Sequence, residues 1–168
     1  MAEDKYVNQA FIRVTESGAN TLTFQKLETG IPIYEKIGWV VHRLDYFYVT
    51  TVVQFPADGA SLSYGISAMD SLATVDLQLA AVIDMNMITR RDWGVAASGA
   101  LRLIPIVKNF TELPGGGLLI PPNPLYLFAK GTNLAAAQGV DVRMFYTVIK
   151  LKPEDFWELV EQRRMIGA

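Results

Sequence analysis

WVVHRLDYFYVTTVV, residues 39–53, alternates with a period of two. One parity carries Val40, His42, Leu44, Tyr46, Tyr48, Thr50 and Val52; the other carries Trp39, Val41, Arg43, Asp45, Phe47, Val49, Thr51 and Val53. Successive side chains of a strand point to opposite faces, and β-branched and aromatic residues suit that pleated surface. The stretch therefore predicts a long strand rather than a helix. Working outward, VDVRMFYTVIKL (140–151) repeats the pattern, with Val140, Val142, Met144, Tyr146 and Val148 alternating with Asp141, Arg143, Phe145, Thr147 and Ile149. Shorter candidates are YVNQAFIRVT (6–15), TLTFQKL (21–27), ASLSYGIS (60–67), ALRLIPIVKNF (100–110) and PLYLFAK (124–130). Turn-forming clusters such as ESGAN, FPADGA, LPGGG and KGTN separate them.

Two segments depart from this rhythm. LATVDLQLAAVIDMNMI (72–88) fits either a helix, with Leu72, Val75, Leu79, Val82 and Ile83 near one face, or two strands joined by a turn. At the C-terminus, Pro153 suits a first helical turn, Glu154 and Asp155 suit the positive helix end, and Arg163 and Arg164 suit the negative end. EDFWELVEQRRM (154–165) is thus expected to be a terminal helix with Phe156, Leu159 and Val160 on one stripe. Many short strands and one helix predict an all-β protein, an antiparallel β-sandwich of the single jelly-roll kind, with a short C-terminal α-helix. The sandwich is expected over residues 1–151, and residues 152–168 form a helical tail packed on the same domain or a neighbouring subunit. No fixed-period repeat supports a propeller or solenoid.

Bulk properties narrow the function. At 168 residues and 51% hydrophobic, the chain is expected to be one domain with a substantial core. It has no cysteine, so disulfides and thiolate metal sites are excluded. MAEDKYVNQAF lacks the segments of a secretory leader, and no apolar run approaches the roughly 18 residues that span a bilayer. A mean hydropathy of +0.21 with 19% charged residues is apolar for a soluble monomer, which predicts a homo-oligomer. The net charge is −2, and Arg90–Arg91 and Arg163–Arg164 are the only adjacent basic pairs. Weak or no direct nucleic-acid binding is expected.

Chemical signatures are sparse. Gly115, Gly116 and Gly117 begin GGGLLIPPNPLYLFAKGT (115–132), but a phosphate loop needs Lys-Ser/Thr and a helix next, whereas Leu118, Leu119 and Ile120 follow. GISAM (65–69) breaks the nucleophile-elbow pattern at its last position. His42 is the only histidine, which excludes multi-histidine metal centres, including those of cupin enzymes, and His-dependent triads. It reads as a hydrogen-bonded structural residue. Glu28, Glu35, Asp45, Asp76 and Asp84 are dispersed, so no carboxylate pair is implied, and Tyr46, Phe47 and Tyr48 read as core or interface rather than a sugar platform. No enzymatic activity, cofactor or metal is predicted.

The order ETGIPIYEKIGWVVHRLDYFYV (28–49), GGGLLIPPNPLYLFAKGT, then VDVRMFYTVIKL resembles the single jelly-roll capsid proteins of small icosahedral viruses, over about residues 20–151. In that family a long early strand pairs with the last one, and a Gly/Pro loop delivers the strand beside it. The resemblance implies a self-assembling major capsid protein, made in the host cytoplasm and located in the virion, whose partners are further copies of itself and other virion proteins. The chain departs from many such proteins in having no Arg-rich N-terminal arm. Pro121, Pro122 and Pro124 remove backbone donors and stiffen the approach to a strand. With Phe156, Trp157, Val160, Arg163 and Arg164 they are the expected subunit-interface residues. The alternative is a lectin-like or tail-fibre carbohydrate-binding sandwich, followed by a metal-independent jelly-roll isomerase or lyase.

Overall fold

The computed structural model describes residues 6–27, 36–48, 55–90, 105–120 and 124–166, with side chains up to residue 161. Among these, strands form at β1 (Asn8–Thr15), β2 (Thr23–Leu27), β3 (Ile37–Tyr48), β4 (Ser61–Ser67) and β5 (Val82–Thr89). They continue with β6 (Ile106–Asn109), β7 (Leu118–Ile120), β8 (Leu125–Thr132) and β9 (Gly139–Lys150), and the chain then enters α1 (Pro153–Ile166). One sheet has the order β1-β9-β3-β6, with β7 also on β3; the other has the order β2-β8-β4-β5. Every described pairing is antiparallel.

The pairs are nested: β4 with β5, β3 with β6 and β7, β2 with β8, and β1 with β9. The chain therefore behaves as one long hairpin whose two arms are wound together over two sheets. β6 and β7 share one lane, because β6 pairs with Arg43–Tyr46 and β7 with Trp39–Val41 of β3. Eight lanes in two facing antiparallel sheets, connected in this nested order, are a jelly roll. The two long strands expected from alternation, β3 and β9, are neighbours along their length. Residues 49–53 and 100–104 of the expected strands lie outside the described residues.

The core explains the alternation and its one interruption. Ile12, Val14, Val140, Val142 and Met144 face Leu62, Ile66, Leu125 and Leu127 across the sandwich, all buried in one apolar cluster. Each fully buried Leu or Met contributes roughly 1.5–3 kcal/mol. In β3 the inward residues are Trp39 and Val41, then Leu44 and Tyr46, so the parity changes midway. A register shift between Val41 and Arg43 produces that change. An extra residue, His42, is inserted there and bends the strand.

Segment 72–88 proves to be neither a helix nor two strands: its first part is turns, and β5 starts at Val82. At the end of the sandwich where β1 leaves its sheet, the Glu16 carboxylate accepts the backbone N–H of Gly131 at 2.6 Å and of Gln138 at 2.9 Å. Asn20 accepts the N–H of Leu134 and donates to its carbonyl. Short polar side chains on the β1–β2 loop thus satisfy the backbone of the β8–β9 loop, which would otherwise be buried unpaired. No helix among the described residues is long and apolar enough to cross a membrane.

Candidate functional site

The Gly/Pro stretch has a specific structural job. Gly115 and Gly116 have φ of +89° and +76°, the left-handed region that glycine enters without a Cβ penalty. Gly117 is different: a Cβ there would sit 2.5 Å from Val40 Cγ1 and 2.8 Å from the Val41 carbonyl oxygen. Two glycines turn the chain and the third lets it lie against β3, so that Leu118–Ile120 pairs there as β7. Residues 121–123 then connect β7 in one sheet to β8 in the other. Pro124 is half-buried just before β8, while Pro121 and Pro122 lie outside the described residues.

His42 belongs to the same unit. Its Nδ1–H donates to the Gly116 carbonyl at 2.8 Å, and its Nε2 lies 2.9 Å from the Thr147 hydroxyl. A carbonyl can only accept, so Nδ1 carries a proton, while the Thr147 hydroxyl, which can both donate and accept, partners Nε2. The imidazole pins the glycine turn to β3 and β9 with both nitrogens engaged, which is the structural role expected from its isolation in the sequence.

A second polar cluster joins the sheets along the side where β5 and β6 are the edge strands. Asp84 and Asn86 occupy the inward face of β5, and Asp84 Oδ2 accepts from the Tyr46 hydroxyl at 2.7 Å and from Asn86 Nδ2 at 3.1 Å. Lys108 Nζ of β6 stands 3.5 Å from Asp84 Oδ1. Beside them the Tyr48 and Tyr64 hydroxyls bond at 2.8 Å. Burial first, and the Asp84 carboxylate second, push the Tyr46 hydroxyl well above the usual tyrosine range. Burial also raises Tyr48 and Tyr64. A protonated phenol locked onto a carboxylate is a latch between sheets, since its proton already has a buried acceptor. Tyr46 is therefore a core residue and Tyr48 packs half-buried against the core, rather than either forming a surface platform.

The outer face of the first sheet carries the third grouping. Reading across the sheet, Arg13 lies beside Asp141 and Phe47; Phe11 beside Arg143, Asp45 and Val107; and Gln9 beside Phe145, Arg43 and Asn109. Each row is displaced by one strand relative to the last. Arg13, Arg143 and Arg43 consequently form a diagonal stripe, flanked on one side by Asp141 and Asp45 and on the other by Phe11 and Phe145. Arg13 binds Asp141 through Nε and Nη2 at 2.7 and 2.8 Å, and Arg43 binds Asp45 through the same atoms at 2.5 and 2.9 Å. The guanidinium groups of Arg13, Arg43 and Arg143 lie 6.0, 5.5 and 5.8 Å from the ring centroids of Phe11, Phe145 and Phe47. Phe11 and Val107 remain half or more exposed.

The helix divides its expected interface residues. Phe156 is buried and meets the Trp157 ring edge-on, Val160 is half-buried, and Trp157 is 57% exposed. The side chains of Arg163 and Arg164 lie outside the described residues. Alternation in β1, β3 and β9 already held the arginine stripe, but its diagonal requires three registers that a sequence does not specify. Among the described residues, no three His, Cys, Asp or Glu side chains gather within reach of one metal ion.

No family model matches the chain. No curated protein matches it either. Among solved structures, the fold is similar to VP1 of Trichodysplasia spinulosa-associated polyomavirus, with a TM-score of 0.48 and 7% identity, covering 89% of this chain and 98% of that one.

Proposed function

We propose that this chain is a structural, self-assembling shell protein, the major capsid protein of a small icosahedral virus. The observation that carries the reading is a nested jelly roll whose apolar and aromatic side chains are left uncovered on several surfaces. Phe11 and Val107 lie on the outer sheet face, Leu119 on β7, and Trp157 on the helix. A monomer gains nothing from presenting these groups to water, whereas a subunit covers them with its neighbours. Residues 1–151 form the jelly-roll domain and 152–168 its helical tail. Pro121, Pro122, Pro124, Phe156, Trp157, Val160, Arg163 and Arg164 shape or line subunit contacts in this reading. Location in the virion and contact with other virion proteins follow from it.

Negative-stain microscopy and light scattering of the purified protein test the proposal. Closed shells, or capsomer-sized oligomers that close into shells as concentration rises, are expected. A stable monomer at high concentration across salt conditions, binding a glycan array, would favour the carbohydrate-binding alternative and overturn the shell reading.

A further inference from the structure

The outer sheet face and the terminal helix are complementary, and that complementarity identifies a contact. Glu154, Trp157, Glu158 and Glu161 are all exposed. At spacings of three, four and seven residues they share one helix face. Among the described residues none of the three glutamates has an ion-pair partner. On the sheet, the three arginines outnumber Asp45 and Asp141 by one, and Arg143 has no carboxylate partner among the described residues. Arg13 and Arg43 use Nε and Nη2 for their aspartates, and Nη1 of each has no hydrogen-bond partner among the described residues, so it can receive a second carboxylate.

Dimensions agree as well. Diagonal neighbours on adjacent strands lie about 7–8 Å apart, so the stripe from Arg13 to Arg43 spans roughly 15 Å. Glu154 to Glu161 spans about 10 Å along a helix, and arginine side chains readily absorb the difference. Trp157 is the kind of amphipathic aromatic that anchors interfaces, and Phe11, Phe145 and Val107 offer it an apolar bed between fixed charges.

Resting on the shell reading above, we propose that the Glu154–Trp157–Glu158–Glu161 face of α1 in one subunit docks on the arginine–phenylalanine stripe of β1, β9 and β3 in a second copy of this chain. Phe156 then tethers the helix to its own subunit while the neighbouring Trp157 reaches outward. Asp141 and Asp45 hold the guanidinium groups of Arg13 and Arg43 in place before the partner arrives, which lowers the ordering cost of the contact.

Sedimentation velocity over a concentration series tests this with Trp157→Ala, Arg143→Glu, and the exchanged pair Arg143→Glu/Glu158→Arg, each checked by circular dichroism. Each single variant is expected to weaken association by about tenfold or more, and the exchanged pair to recover most of that loss. Arg143→Glu faces Asp45 across the ladder and can cost stability, so Trp157→Ala, at an exposed position, is the independent arm. Single variants that associate like the unsubstituted chain overturn the contact and leave the shell reading intact. Variants that lower the melting temperature without changing association place the helix face on its own subunit, and variants that lose glycan or nucleic-acid binding instead assign the stripe to that ligand; both outcomes overturn the contact. An unsubstituted chain that never associates overturns the shell reading itself.

Discussion

At the scale of single residues, the latch between the sheets is the most exacting arrangement. Tyr46→Phe removes the donor nearest to buried Asp84, leaving its carboxylate with Asn86 and the more distant Lys108. A loss of about 1–3 kcal/mol is expected in denaturant unfolding, larger than Tyr-to-Phe at a solvated site. The same tyrosines set an alkaline limit. Tyr46, Tyr48 and Tyr64 are raised in the folded state, while an unfolded tyrosine titrates near about 10. The native state thus keeps its phenols neutral where the unfolded state releases protons, so their contribution is fully present below about pH 10 and declines above it. Thermal melts from pH 8 to 11.5 should show the fall, and absorbance near 295 nm should show these three ionising only as the protein unfolds. Free ionisation of all tyrosines in a protein that is still folded would contradict the latch. Glu16 is a comparable case at the loop end: Glu16→Ala leaves the Gly131 and Gln138 N–H groups buried without their acceptor, and about 2–4 kcal/mol should be lost. Sequence alone singled out His42 because it was unique, but placed Asp84 only among dispersed carboxylates and gave no sign of Glu16. Their importance comes from partners 38 to 122 residues away that only the fold supplies.

At the scale of elements, period-two alternation located β1, β2, β3, β4, β8 and β9, and charge placement with Pro153 located α1. It missed β7, whose three residues are too few to show a period and sit between a glycine run and a proline run. It left β5 ambiguous because Asp84 and Asn86 occupy inward positions where apolar residues are expected. It gave β3 a single phase, since a bulge is set by the insertion at His42 and the close pass of Gly117, not by hydrophobicity. Two changes separate the glycine roles. Gly117→Ala drives a methyl into Val40 and the Val41 carbonyl and should cost about 1–3 kcal/mol while disturbing the β3–β7 pairing. Gly115→Ala meets open space and is penalised through its positive φ alone, by about 1 kcal/mol. Hydrogen exchange at Leu118–Ile120 should quicken markedly in the first and little in the second. Truncation after Leu151 removes buried Phe156 and exposed Trp157 together, so it should lower both melting temperature and association. Separating those two losses is the purpose of the single Trp157 substitution.

At the scale of the whole molecule, the nested pairing places the first and last strands side by side, β1 on β9, and Arg13, Arg143 and Arg43 meet on the outer face of the sheet they belong to. That gathering reopens the question of nucleic acid, because scattered basic residues can converge once a chain folds. Here the stripe converges with its own neutralisation: Asp141 and Asp45 each occupy an arginine, and only Arg143 lacks a carboxylate among the described residues. Lys108 points inward to Asp84. Counterion release scales with the number of phosphates neutralised, so a stripe with one uncompensated guanidinium among the described residues, on a chain of net charge −2, provides little of it. Dissociation constants on the order of 10⁻⁴ M or weaker are expected for DNA and RNA at physiological salt. Assembly should then proceed with nuclease-treated protein and respond to salt through the helix–sheet contact, weakening as ionic strength rises, rather than through any phosphate lattice. Assembly assays with and without added RNA, alongside a salt titration of RNA binding, decide the matter. Micromolar RNA affinity with a steep salt slope, or shells that form only when RNA is supplied, would show that the arginine stripe serves phosphates and that the aspartates beside it do not neutralise it.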